Sequence, residues 1–309
     1  MGFSHFFFVH APMNISPHVH RIALVGAGEV ARSYGPAFKE SGLDIAFLLV
    51  RRETAAVREL AQQLQAVVCL HPGPDWAGLD AVVSAVTGAQ SAAVARSVLP
   101  WLSSGSLYMD LCTGEPQDME AMEQLAAQQG VAFADIAIMG SVPTTGVRTA
   151  LMASGQGAGR AELFWEAQGA AVRVLPGKAG DAMRLKLLRS LMTKGLEALA
   201  IENLMLAERM GLRDELYDVL QDLDHHGLRH FMELSVRTHL VHGVRRRDEV
   251  AQVTRLLQQE GVEPRVMNGV MDFFEHTAAT PQLQRSQALE VRESLAVLLE
   301  DADRVRAGK

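Results

Sequence analysis

Short apolar runs and helically spaced apolar positions alternate through the first half of the chain. The runs predict buried strands over residues 21–26, 43–50, 66–70, 79–86, 106–112 and 131–139. Apolar residues three and four apart predict helices between several of these strands, over residues 29–42, 53–64, 91–102 and 116–130. Strands that alternate with helices build a mainly parallel sheet with both faces covered, so the sequence predicts a doubly wound α/β domain.

From residue 181 onward the apolar spacing is helical. One helix is predicted over residues 181–210, about 45 Å long at 1.5 Å per residue, with Asp181 as its N-cap and Gly211 just beyond its end. Five apolar residues are expected to form its buried face: Met183, Leu187, Leu188, Leu191 and Met192. Further helices are predicted over residues 213–223, 227–240, 247–261 and 264–280. The expected organisation is a poorly ordered tail (1–20), an α/β domain (21–179) and an all-α domain (180–309) that this long interdomain helix opens.

A glycine-rich loop, GAGEVA at residues 26–31, follows the first predicted strand and opens the first helix. In a G-x-G-x-x-A loop the first glycine permits a tight turn, and the second lets the backbone approach a pyrophosphate at the helix N-terminus. Glycines also occur in ordinary strand-to-helix turns, but here the context that the motif needs is present. The loop therefore predicts a Rossmann-type dinucleotide site. Its expected cofactor contacts are Gly26, Ala27, Gly28, Glu29 and Val30, completed by Val86 and Thr87 after the fourth predicted strand.

The end of the second predicted strand indicates which dinucleotide binds. An NAD site has an acidic residue about 20 positions after the loop, where it accepts hydrogen bonds from the ribose. Val50 stands there, and Arg51 and Arg52 follow. A guanidinium forms paired hydrogen bonds with a 2′-phosphate. A solvated pair of arginines is the alternative, but the missing acid and the two arginines together predict NADP.

Composition excludes some classes of protein. The chain of 309 residues has a net charge of −7, which gives no electrostatic reason to bind nucleic acid. No apolar run approaches the roughly 18 residues that a membrane helix needs, so no membrane association is expected. Cys69 and Cys112 are too few for a disulfide framework and lie in apolar stretches, so we expect reduced thiols and a cytoplasmic location.

Four motifs follow one another in a recognisable order. They are GAGEVA at 26–31, DLCTGEP at 110–116, DIAIMGSVPTTG at 135–146 and KLLRS at 186–190. Together they resemble the β-hydroxyacid dehydrogenase superfamily, which includes hydroxyisobutyrate and phosphogluconate dehydrogenases. The stretch at 239–264 is similar to the phosphogluconate-dehydrogenase-like helical C-terminal domain of a poorly characterised branch of that superfamily.

Lys186 lies inside the apolar run of the long helix, where a lysine either extends its charged end to water or is held for its proton. In the superfamily a lysine at this position is the general acid/base at the alcohol oxygen, while a hydride moves to or from nicotinamide. The resemblance therefore implies this catalytic role for Lys186. Apolar surroundings lower the pKa of a lysine and help it to exchange a proton near neutrality. Lys194, two turns later, is the competing candidate.

The resemblance also implies a set of substrate-binding residues: Cys112, Thr113, Met139, Gly140, Ser141 and Ser190. Four of them depart from the superfamily pattern, since Cys112 and Met139 replace serines, Ser141 replaces a glycine and Ser190 replaces an asparagine. The resemblance therefore predicts the type of reaction better than it predicts the substrate, which is expected to be a small anion.

Histidines and arginines crowd the predicted all-α domain. His226 and His230 are four residues apart, but no H-E-x-x-H frame is present, so no metal is predicted. His242 and Arg246 are candidates to bind the substrate's anionic group, across the interface of a homodimer that the resemblance implies for this domain. A solvated basic helix face is the alternative.

Three hypotheses for the function remain open at this point. The first is an NADP-dependent oxidoreductase that acts on a β-hydroxy acid or related carbonyl compound, with Lys186 as general acid/base. The second is an imine reductase, a type of enzyme that resembles the same superfamily but usually lacks the lysine. The third is a non-catalytic protein that binds NADP as a sensor or interaction module.

Overall fold

The computed structural model describes residues 19–225 and 227–308, apart from the side chain of Asp222. The predicted tail over residues 1–20 lies almost entirely outside these described residues. The chain divides into two compact units, Met1–Ser190 and Leu191–Lys309. The boundary predicted between residues 179 and 180 stays a prediction.

An eight-stranded sheet forms the centre of the first unit. Its strands are β1 (Arg21–Val25), β2 (Asp44–Leu49), β3 (Val67–Cys69), β4 (Ala81–Ser84), β5 (Leu107–Asp110), β6 (Ala132–Ile138), β7 (Leu151–Ser154) and β8 (Val172–Val174). The spatial order is β3-β2-β1-β4-β5-β6-β7-β8, and every neighbouring pair is parallel except β6 with β7. The strand order switches direction between β1 and β4, and ligands of open α/β sheets bind at such a point. The six predicted strands are confirmed, whereas β7 and β8 were not predicted.

Helices cover both faces of this sheet. On one face, α1 (Glu29–Glu40), α2 (Ala55–Leu64) and α6 (Ala158–Ala167) contribute to one apolar core. On the other, α3 (Gly88–Val98) and α4 (Pro116–Gln128) contribute to a second core. Successive residues of β1 alternate between the two cores, because side chains of a strand point to opposite faces. The predicted doubly wound α/β fold is therefore confirmed, and a short helix, α5 (Val142–Thr145), follows β6.

The rest of the described chain is helical, as predicted. The helices are α7 (Asp181–Met210), α8 (Arg213–Val219), α9 (Gln221–Asp224), α10 (Gly227–Gln259), α11 (Arg265–Ala279) and α12 (Val291–Ala307). The two helices predicted over residues 227–240 and 247–261 are one helix, α10, and α12 was not predicted. Gly243 lies within α10, and a Cβ atom there would lie 2.8 Å from Cγ2 of Thr277 on α11, so the glycine permits close packing of the two helices. No described helix is long and apolar enough to span a membrane.

The long helix α7 is present with the predicted bounds, but its expected buried face is only partly correct. Asp181 is the first helical residue rather than the residue before it, and Gly211 ends the helix with φ +69°. Met183 is fully buried, whereas Leu188 and Leu191 are 62% and 75% exposed. Helical spacing identifies an apolar stripe but not the surface that covers it.

Candidate active site

The glycine-rich loop joins β1 to α1 at the point where the strand order switches. Gly26 has φ +97°, and a Cβ atom there would lie 2.5 Å from the carbonyl oxygen of Ala85. Both facts restrict position 26 to glycine. Gly28 is the N-cap of α1, and no heavy atom lies within 4 Å of the position its Cβ would take. The loop therefore leaves open space above a helix N-terminus, as a pyrophosphate requires.

A cleft of about 730 Å³ lies over this loop. The predicted residues that line it are Gly26, Ala27, Gly28, Arg51, Arg52, Val86 and Thr87. Arg51 and Arg52 are exposed and form no ion pair with the described residues. Val50, at the position of the usual acid, is buried and apolar. His71 and Gln90 also line the cleft, and no motif of the sequence pointed to them.

A second cavity, of about 800 Å³, lies at the same edge of the sheet and shares Ala85, Val86 and Thr87 with the cleft. The predicted residues that line it are Glu29, Val30, Cys112, Thr113, Gly140, Ser141, Lys186 and Ser190. Arg189 lines it too, although no motif of the sequence pointed to this residue. Met139 is not among the described lining residues and instead packs beside a small core that includes Met152. The two cavities thus place predicted cofactor and substrate residues side by side.

Lys186 is half-buried in this second cavity. Its Nζ atom donates a hydrogen bond to Oγ1 of Thr113 over 3.0 Å. Burial lowers the pKa of Lys186 below its ordinary value, and the negative charge of Asp135 opposes that shift. Lys194 is exposed and pairs with Glu197 over 2.7 Å. Of the two lysines, Lys186 has the surroundings that favour proton exchange.

Asp135, the first residue of the third motif, binds the start of α7 through its carboxyl group. Its Oδ2 atom accepts hydrogen bonds from the backbone N–H groups of Gly180 and Met183, over 2.9 and 3.1 Å, and from the hydroxyl of Ser154. Met183 lies one turn before Lys186, so this carboxyl fixes the helical turn that presents the lysine. Burial raises the pKa of Asp135 to about 6, and the charge of Asp110, its register partner on β5, adds to the rise.

Asp135→Asn is expected to alter the pH dependence of the free energy of unfolding. Because the folded-state pKa of about 6 exceeds the ordinary 3.8, the folded protein binds this proton more tightly than the unfolded chain. The resulting stabilisation is complete below pH 3.8 and is lost as the pH rises through 6, amounting to about 3 kcal/mol for such a shift. Asparagine keeps an acceptor for Gly180 and Met183 but does not titrate.

The measurement is urea unfolding of the wild type and the variant at several pH values between 4 and 7.5. The wild type should lose stability relative to the variant across the interval from about pH 4 to pH 6. A difference in unfolding free energy that stays constant with pH would contradict the buried, proton-binding role of Asp135.

The loop of the second motif is fixed through its backbone. The N–H of Cys112 donates to Oδ1 of Asp110 over 2.8 Å, and the hydroxyl of Ser91 donates to Oδ2 of the same carboxyl over 2.6 Å. A Cβ atom at Gly88, the first residue of α3, would lie only 1.9 Å from the carbonyl oxygen of Thr113. The loop therefore packs directly on the backbone of α3. Cys112 is a buried free thiol whose pKa burial raises.

The predicted anion-binding residues of the second unit lie on α10. Arg246 donates a hydrogen bond to Oγ1 of Thr238 over 2.9 Å within that helix. His239, which was not a predicted site residue, is buried, and its Nε2 atom lies 2.8 Å from Oγ1 of Thr277. His226 lies outside the described residues, and the substrate role of His242 and Arg246 stays a prediction.

Two family models match this chain. Residues 21–165 match the NAD-binding domain of 6-phosphogluconate dehydrogenase, and residues 207–277 match a domain of unknown function, DUF1932. An uncharacterised 28.5 kDa protein encoded in a 7S RNA 5′ region of Methanothermus fervidus is 24% identical over 83% of this chain and 98% of its own. The resemblance inferred from the four motifs is confirmed: the chain combines a dehydrogenase-type NAD-binding domain with a DUF1932 domain.

Solved structures share the fold. A conserved protein of unknown function with structural similarity to 3-hydroxyacid dehydrogenases is 25% identical, with TM-score 0.59, over 83% of this chain and 96% of that one. A Myxococcus stipitatus imine reductase variant bound to NAD+ is 16% identical, with TM-score 0.72, over 90% and 99%. An Aspergillus terreus reductive aminase bound to NADPH, cyclohexanone and allyl amine is 15% identical, with TM-score 0.70, over 91% and 100%. The last two show likeness of fold alone.

Proposed function

We propose that this chain, which joins an NAD-binding domain of the 6-phosphogluconate dehydrogenase type to a DUF1932 domain, is an NADP-dependent oxidoreductase acting on a β-hydroxy acid or related carbonyl compound. The observation that carries the proposal is the position of Lys186, half-buried and hydrogen-bonded to Thr113 in a cavity that adjoins the dinucleotide cleft. NADP, when bound, supplies or accepts a hydride at its nicotinamide ring. The chain's own residues bind and orient the substrate and move the proton.

Lys186 performs the proton step of this proposal. In the oxidation direction, the neutral amine takes the proton of the substrate hydroxyl as the carbon–hydrogen bond gives up its hydride, and a carbonyl results. In reduction the ammonium returns that proton to the oxygen. Thr113 orients Nζ through the observed hydrogen bond, and Gly140, Ser141 and Ser190 supply polar groups to the same cavity. Positioned proton transfer of this kind contributes about 10²–10⁴-fold to a rate.

The choice of NADP rests on Arg51 and Arg52. Both line the cleft beside the phosphate loop, and neither forms an ion pair within the described residues. Without a carboxylate at Val50, the ribose hydroxyls lack their usual acceptor, whereas the guanidinium groups suit a 2′-phosphate. The two free cysteines suit a reducing compartment, and we place the protein in the cytoplasm.

The first test is a fluorescence titration of the purified protein with NADPH and, separately, with NADH. The proposal requires NADPH to bind at least tenfold more tightly than NADH. Oxidation of β-hydroxy acids and reduction of cyclic imines are then assayed with the preferred cofactor. Failure of both cofactors to bind would refute the dehydrogenase and the sensor hypotheses together.

Imine reduction is the second candidate function. The observation that favours it is the fold, since an imine reductase and a reductive aminase give TM-scores of 0.72 and 0.70. Lys186 argues for the hydroxy acid, because a lysine at this position is the general acid/base of the β-hydroxyacid dehydrogenase superfamily, whereas imine reductases usually lack it. Turnover of imines but not of hydroxy acids would decide for this candidate, and cofactor binding without any turnover would decide for a sensor.

A homodimer formed through α7 is the proposed assembly. The chain exposes several large apolar side chains on this helix, among them Leu188, Leu191 and Ile201, which are 62%, 75% and 56% exposed. Large apolar side chains exposed together on one helix are typical of an interaction surface. Light scattering at micromolar concentration should give twice the chain mass, and the double variant Leu188→Glu, Leu191→Glu should give a single chain that still binds NADPH. A wild-type monomer would contradict the proposal.

A further inference from the structure

Arg189 is an exposed cation in the cavity that holds Lys186. Its guanidinium has no hydrogen-bond or ion-pair partner among the described residues. By contrast Arg184, two residues before Lys186 on α7, does not line the cavity and forms ion pairs with Glu120 and Asp181. An arginine that lines a cavity without a partner there is available to a ligand.

The geometry of α7 relates this arginine to Lys186. The two residues are three positions apart on one helix, so their side chains lie on the same face with Cβ atoms about 5–6 Å apart. The ionisable residues that line the cavity on the first unit are Glu29, Lys186, Arg189 and the buried thiol Cys112. Cations therefore predominate on the α7 side of the cavity, and they suit a ligand that carries negative charge.

We infer that Arg189 binds the carboxylate of the substrate and thereby holds the hydroxyl-bearing carbon against Lys186. The inference rests on the proposed function and adds the residue that selects its substrate, a 3-hydroxy carboxylate, against neutral analogues. A guanidinium fork binds a carboxylate through two parallel hydrogen bonds, which fixes orientation as well as affinity. The one-turn separation from Lys186 suits a carboxylate two bonds from the hydroxyl-bearing carbon. An uncharged imine has no group for Arg189.

The test compares 3-hydroxybutyrate with its neutral amide, 3-hydroxybutyramide. Calorimetry measures the binding of each to the full-length protein saturated with NADP+. The wild type should bind the acid at least about tenfold more tightly than the amide, as expected for charge-assisted paired hydrogen bonds. Arg189→Met should remove that preference and leave amide binding within about twofold, while Arg189→Lys should keep part of it.

The matched control is Arg173→Met, which removes an exposed arginine of β8 that lines neither cavity. This variant should retain the wild-type preference for the acid. Equal binding of acid and amide by the wild type, absence of binding by both, or an unchanged preference in Arg189→Met would each overturn the inference.

Turnover separates this inference from the proposed function. If the acid is oxidised in a reaction that needs Lys186 but Arg189→Met leaves KM unchanged, the carboxylate site is wrong and the reaction stands. If Arg189 selects the acid but no hydride transfer is detected, the reaction is wrong and the binding site stands.

Discussion

Lys186→Met is expected to reduce the rate of hydride transfer about 10²–10⁴-fold while NADPH binding stays within about twofold of the wild type. Methionine matches the length and apolar character of the lysine stem but carries no proton. The cofactor cleft is formed without Lys186, which lines only the neighbouring cavity. The loss should therefore appear in kcat, and stopped-flow measurement of NADPH formation or consumption follows it directly.

The control for this variant is Lys194→Met. Lys194 is exposed and pairs with Glu197, so its removal should leave the rate near that of the wild type. The pH profile adds a second check: because burial lowers the pKa of Lys186, the oxidation rate should rise with pH through a pKa below the ordinary lysine value of 10.5. Full activity in Lys186→Met would remove the lysine from the mechanism and favour the other hypotheses.

The second large effect is expected at the cofactor cleft. The double variant Arg51→Ala, Arg52→Ala should weaken NADPH binding about 10- to 100-fold and change NADH binding much less, since only NADPH carries the 2′-phosphate. Both arginines line the cleft and form no ion pair within the described residues, so their removal leaves no acid uncompensated there. Fluorescence titration with each cofactor measures the ratio of the two affinities.

Arg58→Ala is the matched control for the pair. Arg58 lies on α2, pairs with Glu53 over 3.3 Å and does not line the cleft. It should leave both affinities unchanged. Should the double variant bind NADPH and NADH as the wild type does, the arginines are a solvated surface pair and the preference for NADP loses its physical basis.

The strands of the sheet and the phosphate loop could be predicted from the sequence, because each depends on residues that are neighbours along the chain. The six apolar runs became strands, and GAGEVA became the turn between β1 and α1. The strands β7 and β8 were not predicted because neither contains an uninterrupted run of β-branched or aromatic residues: β7 has the sequence LMAS, which also suits a helix, and Arg173 interrupts β8. Short strands of that kind are defined by the sheet they join.

The features that the sequence did not predict depend on contacts between distant segments. Asp135 acts on α7 across 45 residues, through its hydrogen bond from Gly180. Arg189 resembles any solvent-facing helical arginine until the cavity is known. The packing of α10 on α11 at Gly243, where a Cβ atom would lie 2.8 Å from Thr277, likewise joins segments more than 30 residues apart. Lys186, by contrast, could be identified from the sequence, because a sequence motif marks its position.

The contact between Gly88 and the carbonyl oxygen of Thr113 has a consequence for anyone who wishes to redesign the substrate range. The Cys112–Thr113 backbone packs against Gly88 of α3, and its Cys112 N–H donates to Asp110. Insertions or bulky replacements there would therefore disturb the neighbouring residues 85–87, which line both cavities. Ser190 lies on α7 and lines the same cavity. Substitutions at Ser190, with residues 112–113 unchanged, can therefore alter substrate specificity without disturbing the residues of the cofactor cleft.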